Sequence, residues 1–174
     1  MLIIGMIFVL VLIMLVVSIM RSATLEERMA ANARDRQLAL QAAEAVARDA
    51  AATLFNIAAP VSPIDPFDIT LFKADCTDGF CNAGTPQWNS PSLSWTDTTK
   101  TRTFAADASK LSVVSTQPRY IVEPVAMSGG QPGKICPKTL YRITSRGDGK
   151  DNAVVFLENM YWYTPHKWAD GFCG

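Results

Sequence analysis

Residues 1–20, MLIIGMIFVLVLIMLVVSIM, carry no charge, and the strong helix formers that follow run on without a proline as far as Pro60. Only Gly5 and Ser18 weaken the apolar run. At about 1.5 Å per residue, such a helix is about 30 Å long over this run, the thickness of one hydrocarbon core. A secretory signal has a shorter apolar region, a basic flank and a small-residue cleavage site, and none of these marks the run. Residues 1–20 are therefore predicted to form a spanning helix that continues as an amphipathic helix over residues 21–58.

The continuation has one apolar or small stripe. Met29, Ala33, Leu40, Ala43, Ala47, Ala51, Leu54 and Ala58 step by three, four or seven residues, the spacing of one helix face. That face is predicted to bury against the rest of the chain. The charges between, Arg21, Glu26, Glu27, Arg28, Arg34, Asp35, Arg36, Glu44, Arg48 and Asp49, alternate in sign and read as a solvated surface, with Glu44 and Arg48 at the favourable i, i+4 spacing. A nucleic-acid-binding arm is excluded by this alternation and by a formal net charge of zero.

At AAPVSPIDPF the composition changes, and its prolines end the helix. Residues 59–174 are enough for one modest extracytoplasmic core. LSVVST, PRYIVEPV, TLYRITSR and NAVVFLENMYWY are rich in β-branched and aromatic residues and are predicted as strands, with SRGDGKDN as a hairpin connection. PSLSWTDTTKTRTF and MSGGQPGK read as polar connections. The predicted fold class is α+β: a long N-terminal helix whose second half lies on a small antiparallel sheet.

All four cysteines, Cys76, Cys81, Cys136 and Cys173, lie beyond the spanning segment. Four cysteines allow three connectivities, and the reading favoured here joins Cys76 to Cys81 and Cys136 to Cys173. A zinc site is disfavoured because the spacings are not C-x-x-C and the single histidine, His166, stands alone in YTPHKW as a surface residue. No nucleophile elbow, phosphate loop or H-E-x-x-H motif is present, so no enzyme and no cofactor are expected. An Asp–Glu pair brought together by folding is the catalytic route the composition leaves open. Asp148, Asp151 and Asn152 offer oxygen ligands that are weak candidates for calcium, against a plain turn as the simpler reading. The tripeptide Arg146 to Asp148, RGD, is weak evidence for integrin binding.

Arg21, Arg28, Arg34 and Arg36 lie just beyond the spanning run, where the positive-inside rule would hold them in the cytoplasm, against an oxidising location for the cysteines. A basic leader removed from before Met1 would resolve this conflict.

MRSATLEERMAANARDRQLALQAAEAVARDA is similar to the N-terminal signature of PilX-type minor pilins of type IV pili. The pattern falls on Thr24, Glu26 or Glu27, Arg28, Met29, Ala30, Asn32, Arg34, Asp35, Arg36, Ala39, Gln41, Ala42, Ala43, Glu44, Ala45 and Arg48. PRYIVE, YRITSRG and DNAVVFLE resemble the family's late strands.

The resemblance implies a leader cut by a prepilin peptidase and N-methylation of Met1. It also implies insertion in the inner membrane with a periplasmic domain, and engagement of an inner-membrane assembly platform. Assembly with other minor pilins would then prime polymerisation of the major pilin and leave the chain at the pilus tip on the cell surface, in some systems beneath a large adhesin. Most pilins carry a glutamate at mature position 5, which neutralises a neighbour's amino terminus; here Gly5 stands there, as suits a subunit with no neighbour beyond it. Two other classes are compatible with the design. One is a tip pseudopilin of a type II secretion system, a reading that a long inserted helical domain would favour, and none is evident in the sequence. The other is a membrane-anchored binding or sensor module, which would require a signalling domain across the membrane.

Overall fold

The computed structural model describes residues 2–55, 72–82, 87–91, 93–104, 111–128, 138–163, 167–168 and 171–172. A single helix, α1 (Leu2–Phe55), runs unbroken from the apolar segment into the domain. It packs on an antiparallel sheet of four strands, β1 (Arg102–Thr103), β2 (Arg119–Ser128), β3 (Lys138–Asp148) and β4 (Val154–Tyr163), in the order β1-β2-β3-β4. Lys167–Trp168 and Gly171–Phe172 form a separate two-stranded ribbon. The α+β arrangement predicted from the sequence is the one observed.

Alternation along β2 and β3 builds a core on each face of the sheet. Toward the helix, Tyr120, Val122, Tyr141, Ile143 and Tyr163 pack with Val46, Ala50 and Leu54 of α1. Phe72 and Phe80 complete this layer, Phe72 stacked on Tyr141 at 5.7 Å and edge-on to Phe80 at 5.5 Å. On the opposite face Ile121 lies under Cys76, Cys81, Leu93 and Trp95. Glu123 and Arg142 are register partners there and form a buried ion pair at 2.9 Å.

The sheet's two edges are finished differently. Beside β2, the short β1 and the segment around Phe80 take up main-chain groups, Phe80 bridging Val122 and the Cys81 amide donating to the Val122 carbonyl at 2.9 Å. Cys76 and Cys81 are disulfide-bonded, as predicted, and clamp this segment against Ile121. The pairing of Cys136 with Cys173, like His166, lies outside the described residues. Replacing Cys76 and Cys81 together with serine is expected to cost about 2 kcal/mol, the entropy that so short a loop restores to the unfolded chain. A lower denaturation midpoint at unchanged slope is the measurement that checks it.

Three sequence expectations need correction. LSVVST, residues 111–116, is not a strand: its backbone is turn and bend. Polar side chains take its main-chain bonds, the Gln117 amide bracketing Leu111 at N (3.1 Å) and O (2.9 Å), and Ser115 donating to the Gly149 carbonyl. The missing strand comes instead from KTRTF, read as a connection, which supplies β1.

The helix stripe also holds only in part. Met29 is 64% exposed and Ala33 is exposed, while the face that meets the sheet carries Asp35, Ala39, Ala42, Ala43, Val46, Ala47, Ala50 and Leu54. Met29 and Ala33 lie on the part of α1 that projects beyond the sheet; within the domain Ala43, Ala47 and Leu54 of the expected stripe are buried and Ala51 packs on the core, while the bulkier Leu40 gives way to the small Ala39 and Ala42 where β3 and β4 come close. The described helix ends at Phe55, so the expected contact at Ala58 lies outside the described residues.

Candidate assembly interface

Every residue from Leu2 to Arg34 is exposed, and Asp35 is the first to be buried. At 1.5 Å per residue, about 50 Å of helix therefore projects beyond the domain. Its first part, apolar all round, is long and apolar enough to cross a membrane and contributes nothing to the domain's own core. A helix hydrophobic on every side requires lipid or other helices around it. Gly5 lies in this stretch with open space about it, and Met1 lies outside the described residues.

The projecting helix is held at its base by one carboxylate. The turn after β3 closes through the Gly149 amide on the Ala153 carbonyl, at 2.7 Å, and aims four successive main-chain N–H groups at α1. Lys150 and Asp151 donate to Asp35 Oδ1 at 2.6 and 3.1 Å, and Asn152 and Ala153 donate to Oδ2 at 3.2 and 2.9 Å. Converging amides of this kind form an anion-binding nest, and here the anion is a side chain of the same protein. These bonds hold the Asp35 carboxyl below its ordinary value of 3.8, the Asp151 amide contributing most and Ala153 next, against the opposing effect of burial. Asp75 and Asp97 are lowered as well, chiefly by the hydroxyls of Thr77 and Thr99, in turns away from the helix.

Two glycines let the turn come this close. A Cβ on Gly147 would strike the Ala39 carbonyl oxygen and lie 2.5 Å from the Ala43 nitrogen. One on Gly149 would collide with the Asp35 carboxylate and lie 2.7 Å from the Asp35 carbonyl oxygen. Gly147, Ala39 and Ala43 thus form a backbone-to-backbone contact between β3 and α1.

The residues singled out from the sequence fall into this arrangement in specific ways. Arg146, Gly147 and Asp148 are the end of β3, not a presented loop: Arg146 pairs with Asp148 at 2.7 Å and Gly147 is buried against α1. Asp151 and Asn152 are side-chain-exposed members of the turn whose amides bind Asp35, and Asp148 is engaged by Arg146. Among the described residues no group of three or more His, Cys, Asp or Glu side chains gathers at one place. Glu44 and Arg48 lie 3.8 Å apart on the exposed side of the helix, a contact worth a few tenths of a kcal/mol or about that. Asp35, which the sequence groups with the solvated charges of the helix, is instead buried at this turn. The available signal was its place four residues before Ala39 and eight before Ala43, on the face where small residues meet the sheet.

A long apolar helix that serves as anchor and then as the spine of a small antiparallel sheet defines a pilin-like protein. Residues 1–48 match the family model described as PilX N-terminal, and residues 74–162 match that of the type IV pilus assembly protein PilX C-terminal domain. The chain belongs to the PilX family: it is a minor pilin of a type IV pilus, in a family of structural pilus components. No curated protein and no solved structure gave a match.

Proposed function

We propose that this minor pilin assembles with other minor pilins in the inner membrane, primes polymerisation of the major pilin, and remains at the tip of the finished pilus. The observation that carries this reading is an exposed apolar helix, Leu2 to Met20, with no carboxylate anywhere along it. In a filament core, each subunit's amino-terminal charge sits in an apolar helical bundle and needs a partner. Counted from Met1 the fifth residue is Gly5; were the leader cut between Gly5 and Met6 instead, the fifth residue would be Leu10, and neither supplies a carboxylate. A subunit with no neighbour beyond it has no such charge to neutralise. The domain, meanwhile, is fixed to the helix through Asp35, so that extraction of the helix from the bilayer carries the domain with it as one body. In the membrane the same helix is the anchor, with the domain on the periplasmic side where Cys76 and Cys81 are oxidised.

Deleting the gene is expected to leave few pili per cell, those few being of normal structure, as counted by electron microscopy. Immunogold labelling of sheared pili should mark one end in very few copies. Gold spaced along the shafts would refute the tip position, and normal pilus numbers in the deletion strain would refute priming.

A further inference from the structure

Among the described residues the β2 edge of the sheet is covered, by β1 and the disulfide segment, and the β4 edge carries no further strand on the side away from β3. An unpaired edge offers a row of main-chain donors and acceptors to any extended chain. The side chains on its outer face add selectivity. Val154, Phe156, Met160 and Trp162 alternate along the strand and are exposed, Met160 at 52% and Trp162 at 55%. Phe156 is backed by Trp88 and Trp95, with ring centroids 5.8 and 5.3 Å away, which stiffens one end of the row.

In the middle of this row stands Glu158, exposed and the only charged residue of β4. It decides what kind of strand fits. A second copy of β4, laid antiparallel about Glu158 or parallel in register, sets Glu158 against Glu158; moved by two residues from either register, it sets the carboxylate against Phe156 or Met160. Like charges opposed across a ladder destabilise it, and β4 contains no basic residue to relieve the repulsion. The complement is a different sequence, apolar at alternate positions with Lys or Arg opposite Glu158.

We propose that the outer edge of β4, along Val154 to Met160, receives an extended segment of another pilus component, which adds a strand to the sheet and pairs a basic side chain with Glu158. This rests on membership of the pilus and not on the tip position. Strand addition gives main-chain bonds for affinity and alternate side chains for choice of partner. The apolar helix and the β4 edge would then be two separate contacts of the same subunit, one in the filament core and one at its periphery.

The test places a photoreactive phenylalanine at Trp162 of the full chain, in cells that assemble pili, and sequences the crosslinked peptides. A crosslink to an extended segment of a different pilus protein, reduced about fivefold by Glu158→Lys and much less by Glu158→Gln, is the expected result. Formation of the Cys76–Cys81 disulfide and unchanged protease resistance would show that each variant is folded. A crosslink to a second copy, to other residues of the same chain, or to lipid alone would overturn the proposal, and so would an insensitive yield in Glu158→Lys. Pilus counts in the deletion strain report separately on priming, so failure of one reading is distinguishable from failure of the other.

Discussion

Gly147→Ala is expected to unseat the helix from the sheet, at a cost of about 3 kcal/mol. The added methyl meets the Ala39 carbonyl oxygen and the Ala43 nitrogen, both main chain, so no change of rotamer and no shortening of the Ala43 side chain can make room. Either α1 moves outward or the end of β3 bends, and each withdraws the turn amides from Asp35. Urea unfolding of the full chain in detergent, followed by near-ultraviolet circular dichroism, should show a lower midpoint. Hydrogen exchange should show protection lost first at the amides of residues 150–153, whose acceptor is Asp35. Unchanged protection there would mean that the contact is slacker than the structure shows.

Asp35→Asn should produce the second large effect and change its pH dependence. The variant keeps one acceptor oxygen but turns an NH2 group toward two of the amides, which leaves them unsatisfied beside a donor. The thermal midpoint is expected to fall by several degrees at neutral pH. In the native protein the folded carboxyl lies below its ordinary 3.8, so the unfolded state binds the proton more readily. The contribution to stability is accordingly complete above 3.8 and is lost as pH falls from there through the folded value. Asp75 and Asp97 give the native protein further dependence of the same sign. The difference between native and variant midpoints isolates Asp35: it should be constant at neutral pH and shrink on acidification below about 4. A difference independent of pH would show that Asp35 acts by shape and not by charge.

The sheet's registry helps explain why these two positions matter more than larger residues. Tyr141 and Ile143 bury far more apolar surface, yet they fix only that some helix covers β3. Gly147 and Asp35 fix where along the helix the coverage begins, because a contact between backbones and a carboxylate in a four-amide nest have no equivalent one turn away. The length of helix that projects, and with it the depth of the membrane or filament anchor below the domain, follows from that register.

How much of this was legible beforehand depended on the range of the interaction involved. The apolar run, the helix that continues it, β2, β3 and β4, and the Cys76–Cys81 bridge are local in sequence: composition, period and spacing within a few residues suffice to read them. The PilX signature was legible for the same reason, as a contiguous pattern from Thr24 to Arg48. The contact face of the helix was legible in part: Ala43, Ala47 and Leu54 belong to the expected stripe and are buried, whereas Ala39, Ala42, Val46 and Ala50 complete the face and Leu40 stands outside it. Only the closeness of β3 selects the smaller residues. LSVVST has strand propensity, but Gln117 and Gly149 claim its main-chain groups, and those partners are fixed by the fold. The sequence sets Asp35 in line with Ala39 and Ala43, but the amides that it binds belong to a turn more than a hundred residues later, and only folding delivers them. An anchor helix, a sheet and a disulfide follow from local composition, period and spacing alone. Folding decides which small residues of the helix meet the sheet and that Asp35 fills the turn, because each depends on groups that only the fold brings within hydrogen-bonding or van der Waals distance.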